Sequence, residues 1–505
     1  MDPVEGPGGG RVFRVAAAVL AALFLIAAVT APLLPDEMYY WDWSRHPAAG
    51  YFDHPRMIAA AIGLGTALAG HNPFAVRLIP LLCGGLTVAL LYASARWLHG
   101  ETLARRTLVL VAGLPLITAS FLLATPDAPF LAATALTLYC AIRAVLSSGW
   151  GQPRPFWWIA AGGFAGLALQ SKYTAFLLVF ACGLSLLVSG SLRPWLRTAG
   201  PWLGLGMTVV TSAPMLLWNA DHDWASLQFQ LHHGLGAVTG GNSGLRELSF
   251  LGGQIAIVNP ILLGLLGFAV WRGLRAPRNS AESLLAVVTI TIFGCFMISA
   301  SRRPVEANWP AAAYLPALLL AATVPLGDTA RRWLAIGAGL GMGLTMIALL
   351  HLITPVLPLA REVDQVAESY GWEPVSAAVV RIIEQERTDG RRTFVAGNRY
   401  QETAALAYHL PGQPAVFSLN VDYRPNQYDF WPRFESVAAP GDGLVLVIEP
   451  GAKADSVLER LQGNFISVRR VSEVERRRGE RLLSPRDLWL LAGWRGGELP
   501  RGLRP

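Results

Sequence analysis

Long apolar runs separated by short polar segments fill the first 354 residues, and the pattern then changes. A segment that crosses about 30 Å of hydrocarbon needs roughly 20 predominantly apolar residues. Such runs lie near 15–34, 75–95, 104–123, 128–147, 156–171, 173–190, 199–218, 250–271, 281–300, 308–326 and 332–353, which predicts about eleven transmembrane helices. Two of the runs are short and meet at "QSKY". The stretch 55–70 is also apolar, but "FDHPR" and "GHNP" bound it closely. It is expected to lie on the membrane surface as an amphipathic or re-entrant piece. After residue 354, helical patterns ("VSAAVVRIIEQERTDG", "GAKADSVLERLQG") alternate with strand-like runs ("RTFVAG", "PAVFSL", "GLVLVIEP"). That alternation predicts a small α/β domain. The expected fold class is a mostly α-helical, polytopic membrane protein over 1–354 with a C-terminal α/β domain over 355–505.

Composition agrees with this division. The 505 residues are 53% hydrophobic and 15% charged, with mean hydropathy +0.40, whereas soluble domains carry about 25% charged residues. Residues 1–354 hold 35 of the Asp, Glu, Lys and Arg residues, and the much shorter 355–505 holds 40. The four cysteines, Cys83, Cys140, Cys182 and Cys295, all sit in apolar runs and read as small buried hydrophobes. No disulfide framework or CxxC metal motif is visible. The start, "MDPVEGPGGGRVFR" followed by an apolar run ending in "PLLPDE", resembles a signal peptide without a clear cleavage site. It is read as a retained first span.

The net charge of +7 raises the question of nucleic acid. The arginines of the membrane part argue against it, because they come in small groups between apolar runs. With the N-terminus inside, the inner segments contain Arg11 and Arg14; Arg96, Arg105 and Arg106; Arg143 and Arg154; Arg193 and Arg197; Arg272, Arg275 and Arg278; Arg331 and Arg332. Most acids of this part fall in the outer segments, as the positive-inside rule requires. The eleven-span arrangement also exports the C-terminal domain. A twelve-span arrangement, with 55–70 crossing, would place the arginine groups outside.

Candidate chemistry collects on that outer side. "PDEMYYWDWSRHPAAGYFDHPR" places Asp36 and Glu37 directly after the first span, beside Tyr39, Tyr40, Trp41 and Trp43. These acids are either a solvated helix end or a functional pair. Buried at an interface, a carboxylate becomes a usable general base near neutral pH. Asp36 with Glu37 also offers paired oxygens to a divalent cation, the one cofactor the sequence suggests. The aromatics read equally as an interfacial belt. Asp53 and His54 share the loop; His54 is suited to orienting a phosphate or a sugar hydroxyl, or to capping the next helix.

Asp127 in "ATPDAP" is either a helix start signal or a functional acid. Lys172 is one of only two lysines among 41 basic residues. At a span boundary it suits a phosphate as a compact point charge, or it snorkels. Ser171 and Tyr173 flank it with hydroxyls. "WNADHDWASLQFQLHHG" carries Asn219, Asp221, His222, Asp223, His232 and His233. No metal-ligand spacing such as HExxH is present there, so a polar re-entrant loop is the better reading. "SRRPVEANWP" supplies Arg302, Arg303, Glu306, Asn308 and Trp309. Arginines on the outer side run against the positive-inside bias and favour an anionic ligand over a structural ion pair with Glu306.

As a set, the acidic pair, the "YYWDWSRH…GYFDHP" loop, "TPDAP", "SKY" and "EANWPAAAY" resemble the GT-C-fold glycosyltransferases of family 39, over about residues 15–353. These are bacterial relatives of the protein O-mannosyltransferases and of the lipid A aminoarabinose transferase. The segment "NRYQETAALAYHLPGQPAVFSLN…RPNQYDFWPRF" also resembles the exported domain of this group. The resemblance implies a polyprenyl-phosphate-linked sugar donor and a lipid, glycan or protein acceptor. It implies an inverting displacement in the inner membrane, at its periplasmic face. It makes Asp36 the base or an acceptor-orienting acid, with Glu37 and Asp127 supporting the acceptor or an ion. Lys172 then holds the donor phosphate, assisted by Arg302 or Arg303. Tyr39, Tyr40, Asp53, His54, His222 and Asn308 are expected near the substrates. The resemblance leaves metal dependence open. Arg56 stands where the family loop usually continues with a second proline.

Three rivals differ in what they require of the sequence. A flippase or transporter of lipid-linked sugars predicts related halves and charges buried mid-span, and the polar residues here gather at one edge. A glycan-binding scaffold leaves Asp36 and Lys172 without a purpose. A polymerase or ligase of lipid-linked glycans shares the chemistry and is not separated from the first reading by sequence.

Overall fold

The computed structural model describes residues 9–147, 155–236, 242–360, 364–386 and 392–500. Arg154, the first eight residues and the end of the helical pattern beyond Glu386 lie outside the described residues. The chain divides into two compact units. One comprises Met1–Thr30 and Ala48–His351, and the other Ala31–Pro47 and Leu352–Pro505. The sequence placed 31–47 with the membrane part. In the structure this segment, which carries Asp36 and Glu37, is built into the C-terminal unit.

The first unit is helical. Six described helices are long and apolar enough to cross a membrane: Arg11–Thr30, Pro73–His99, Asp127–Leu146, Ala199–Asp221, Ser280–Arg302 and Asp328–Ile353. Large apolar side chains stand exposed along them, among them Leu25, Leu82, Val210, Leu217 and Ile298. In water such surface would be an aggregation liability, and on helices of this length it is the surface that faces lipid. The chain is a multi-pass membrane protein.

Two expected spans are not continuous helices. The run 104–123 is Glu101–Ala112 followed by Pro115–Leu122, bent by 75°. The run 250–271 belongs to Ser243–Val258 followed by Pro260–Arg275, bent by 106°. A proline starts the second segment in each case, and the residue before a proline is driven out of the helical region. Leu114 is accordingly extended. Asn259 has φ 68°, and its Oδ1 accepts the Leu262 N–H at 3.0 Å to cap the new segment. The expected spans 156–171 and 173–190 are the shorter helices Pro155–Ser171 and Ala175–Val188, and the run 308–326 contributes Ala311–Ala322. That last helix is buried along its whole length; at about 18 Å it is a core element rather than a simple crossing. The stretch 55–70 forms Met57–Ala69, 13 residues and half-buried, also short for a crossing.

Small residues set the closest helix approaches. A Cβ on Gly162 would lie 1.8 Å from the Gly204 carbonyl oxygen, and one on Gly341 would lie 1.8 Å from that of Gly113. Thr208 Oγ1 donates to the Gly162 carbonyl at 3.0 Å across the same seam. In lipid, association rests on such packing and on interhelical hydrogen bonds. Gly162→Ala is therefore expected to lower thermal stability in detergent by about 1–3 kcal/mol through overpacking. Gly183→Ala, where the added methyl meets nothing within 4 Å, should leave it unchanged. Equal unfolding midpoints for the two variants would contradict the close approach.

The second unit is built on a five-stranded sheet in the order Phe417–Ser418, Thr393–Gly397, Gly443–Ile448, Arg486–Trp494, Phe465–Val474. The first three strands pair in parallel and the last two join antiparallel. Gly443–Ile448 is buried throughout, and its Leu444, Leu446 and Ile448 pack with Val457, Leu461 and Trp494. The three strand-like runs read from sequence are all strands, and both helical patterns form helices, Trp372–Glu386 and Ala452–Leu461.

Charged side chains are also buried here. Arg476 and Arg486 both reach Glu368 Oε2 at 3.1 Å, and Arg476 lies 4.5 Å over the Trp372 ring. Burial pushes the Arg476 pKa down to about 10. Burial alone would raise the Glu368 carboxyl, but the Arg486 and Arg476 guanidinium groups hold it below its usual range. Buried charges persist only when paired and hydrogen-bonded, and this cluster meets that condition internally.

Candidate functional site

The candidate residues fall into two groups, one in each unit. In the helical unit, Asp127 opens the helix Asp127–Leu146, and Lys172 follows the end of Pro155–Ser171. Lys172 Nζ donates to Asp127 Oδ1 at 2.7 Å, and both side chains are about nine-tenths buried. Asn308 Nδ2 donates to the other carboxylate oxygen, Oδ2, at 3.2 Å. Three turns far apart in sequence ("TPDAP", "SKY" and "EANWP") thus meet at one carboxylate. Asp127 does not spend its oxygens on capping its own helix. It remains in the first turn, where a negative charge is favoured by the helix dipole.

The surroundings hold these groups in place. Gln254 Nε2 donates to the Ala307 carbonyl at 2.9 Å, next to Asn308, while Gln254 Oε1 accepts from Tyr314 Oη at 2.6 Å. Next to Lys172, Tyr173 Oη donates to Ser226 Oγ at 2.8 Å and accepts from Asn219 Nδ2 at 2.9 Å. Asn219 Oδ1 in turn accepts the Leu227 N–H at 3.0 Å. Ser171 Oγ bonds back to the Leu167 carbonyl at 2.9 Å. The two hydroxyls flanking Lys172 are therefore engaged in holding the turn.

The "NADHDW" segment turns through Asp223 and Trp224, both at positive φ (52° and 59°). His222 stacks on Trp218 with centroids 4.0 Å apart, and its Nδ1 lies 2.8 Å from the Trp218 carbonyl. The loop bearing Asp53 and His54 rests on this segment. Gln230 Nε2 donates to the Asp53 carbonyl, and Phe52 meets Phe229 at 4.8 Å. Among the described residues, no three His, Cys, Asp or Glu side chains converge as metal ligands. Arg303 donates to the His232 carbonyl at 2.7 Å. The expected alternative of an ion pair between Glu306 and these arginines does not form. Arg302 ends its helix exposed, and Arg56 precedes Met57–Ala69, also exposed.

In the second unit, Asp36 and Glu37 lie in the first turn of the helix Pro35–Ser44. Their carboxylates make different contacts. Glu37 is fully buried and its Oε2 accepts the Leu34 N–H at 2.9 Å, closing the helix start. Asp36 is exposed and its Oδ1 accepts from Tyr400 Oη at 3.1 Å. The burial expected to activate Asp36 is thus not found in this structure; its neighbour is the buried one.

Tyr39 and Tyr40 are buried and pack the unit. Tyr39 Oη accepts the Gln427 N–H at 2.6 Å, and Tyr40 meets Trp43 edge-on at 4.9 Å. The sequence assigned no role to Asp42, yet it accepts from Tyr428 Oη at 2.8 Å and from Arg45 at 3.1 Å. Burial pushes its carboxyl above the usual range, against the opposing pull of Arg45 and the Tyr428 hydrogen bond. Tyr400 and Tyr428 were missed because their partners lie more than 350 residues away, which no local pattern records.

Comparison with known proteins adds three findings. Residues 53–218 match the sequence profile of the family described as dolichyl-phosphate-mannose-protein mannosyltransferase. Over 289 residues the chain is 26% identical to the lipid A galacturonosyltransferase RgtD of Rhizobium johnstonii, covering 57% of this chain and 59% of that protein. The chain thus spans less than two thirds of that relative's length. The crystal structure of ArnT from Cupriavidus metallidurans bound to undecaprenyl phosphate superposes with TM-score 0.67 at 17% identity, over 97% of this chain and 100% of ArnT. Its apo form gives 0.65 at 16% identity, over 96% and 98% of the two chains. The chain therefore has the GT-C fold, and it resembles the family 39 glycosyltransferases in fold over nearly its whole length and in sequence over residues 53–218.

Proposed function

We propose that the chain is an inner-membrane glycosyltransferase that moves a sugar from a polyprenyl phosphate to a hydroxyl of a lipid, glycan or protein acceptor. The observation that carries this reading is the buried Lys172–Asp127–Asn308 cluster among apolar helices. An ammonium group has three N–H donors, and Asp127 takes one from Lys172. The donor's phosphodiester carries one negative charge, and the polyprenyl phosphate that leaves carries a second. Two remaining donors on a cation set in low dielectric stabilise that added charge more in the transition state than in the ground state. Asp127 and Asn308 keep the ammonium aimed, so little reorganisation is needed as the bond breaks.

In this reading the acceptor oxygen attacks the anomeric carbon opposite the phosphate. A bond forms from that oxygen to carbon while the carbon–oxygen bond to phosphate breaks, and the configuration inverts. Asp36 takes the acceptor proton, and Glu37 fixes the helix that carries it. Arg302 assists with the anionic donor, and the loop of Asp53 and His54, with His222, serves substrate positioning. The arginine-rich inner segments favour placing this chemistry at the periplasmic face. The relatives RgtD and ArnT, a lipid A galacturonosyltransferase and an undecaprenyl phosphate binder by name, support a lipid-linked donor.

The test is deletion of the gene followed by mass spectrometry of lipid-linked and envelope glycans. The expected result is loss of one sugar mass from an envelope component and build-up of a polyprenyl-phosphate sugar. An unchanged glycan profile would overturn the reading.

A further inference from the structure

The hydroxyl of Tyr400 belongs to the C-terminal part of the chain, yet it donates to Asp36 Oδ1 at 3.1 Å within one compact unit. Tyr400 opens the helix Tyr400–His409. Its ring lies 4.5 Å from that of Tyr39, which the Gln427 N–H ties down, and the Arg424 guanidinium sits 5.3 Å over it. Trp41, on the same helix as Asp36, meets Tyr408 edge-on at 5.0 Å. The two helices are therefore packed through aromatic rings, Tyr39 on Tyr400 at the start of the later helix and Trp41 on Tyr408 about two turns along it.

We infer that Tyr400 is a positioning residue for Asp36, so that the C-terminal unit takes part in the reaction by aiming the proton acceptor. The inference rests on the proposed role of Asp36. An exposed aspartate side chain on a short helix takes its orientation from the groups that contact it. A hydrogen bond from a ring that is itself packed selects one rotamer and fixes one oxygen. The carboxylate is thereby held in a defined orientation at the start of its helix. Placement matters because a misplacement of about 1 Å can cost on the order of a hundredfold in rate. The Tyr39 and Arg424 contacts supply the rigidity that a lone surface tyrosine lacks.

The experiment uses full-length chains expressed at matched level in the deletion strain, with mass spectrometry of the envelope glycan that the deletion removes. Tyr400→Phe keeps the ring on Tyr39 and loses only the donor. It is expected to restore the glycan about tenfold more slowly than the wild-type chain, the worth of a hydrogen bond to a charged group. Tyr400→His, which keeps a ring and can donate, is expected to recover much of that rate. Asp36→Asn measured alongside separates the two ideas. Full restoration by Asp36→Asn defeats the role of Asp36 itself and the inference with it. No restoration by Asp36→Asn with wild-type restoration by Tyr400→Phe overturns the positioning role alone. Equal losses in Tyr400→Phe and Tyr400→His, with a lowered unfolding midpoint in both, assign the tyrosine to structure and overturn it too.

Discussion

Asp36→Asn is expected to abolish sugar transfer while leaving the protein folded and in the membrane. The carboxylate is exposed and accepts from Tyr400, and the amide oxygen of Asn can still accept there. The structural cost should stay within about 0.5 kcal/mol, as for most surface substitutions. What the amide cannot do is take a proton. Loss of a general base typically costs about 10²–10⁴-fold, enough to take the rate below detection in membranes supplied with radiolabelled polyprenyl-phosphate sugar. The contrast with Glu37 sharpens the assignment. Glu37→Gln should weaken the helix start, because a neutral acceptor serves the Leu34 N–H less well. Wild-type turnover in Asp36→Asn would remove Asp36 from the chemistry.

The second large effect is expected at Lys172. Lys172→Ala strips a buried carboxylate of its cation and leaves Asp127 with Asn308 alone. Breaking one side of a buried ion pair typically costs about 3–5 kcal/mol, so loss of activity in this variant mixes instability with chemistry. The double variant Lys172→Met with Asp127→Leu separates the two. Replacing both charges by apolar side chains of similar size is often neutral or stabilising, so the unfolding midpoint should return to near wild type. Activity should not return, because no cation is left to meet the leaving phosphate. A double variant that transfers sugar at the wild-type rate would reduce the pair to a structural device.

The helical unit shows where local pattern suffices. Runs such as 75–95 and 281–300 carry apolar residues all round, and nothing but a helix satisfies their backbone in lipid. The same uniformity hides the breaks at Leu114–Pro115 and Asn259–Pro260, because hydropathy averages over a proline while backbone geometry does not. In the C-terminal unit, Gly443–Ile448 announced itself as a buried strand. Phe465–Val474 did not, because its Arg469, Arg470 and Glu473 face outward on an edge strand and break the apolar signal. At the site, Asp127, Lys172 and Asn308 were legible as residue types at turns, and their meeting at one carboxylate was not. The fate of "PDEMYYWDW" was the least legible. Its aromatics read as an interfacial belt, whereas Tyr39, Trp41 and Trp43 are core residues of a unit whose other residues begin at Leu352.

That discontinuity has a consequence for biosynthesis. The helix Pro35–Ser44 is made among the first residues and its packing partner Tyr400–His409 among the last. At about 5–20 residues per second, the roughly 350 residues between them take some tens of seconds to synthesise. Throughout that interval Trp41 lacks its ring partner Tyr408 and Tyr39 lacks Tyr400. A ribosome that stops at Ile353 would release a chain with the six long apolar helices described above complete and its acidic helix without the partner Tyr400–His409. Quality control that reads exposed tryptophan at the membrane surface would therefore report on whether translation reached the end.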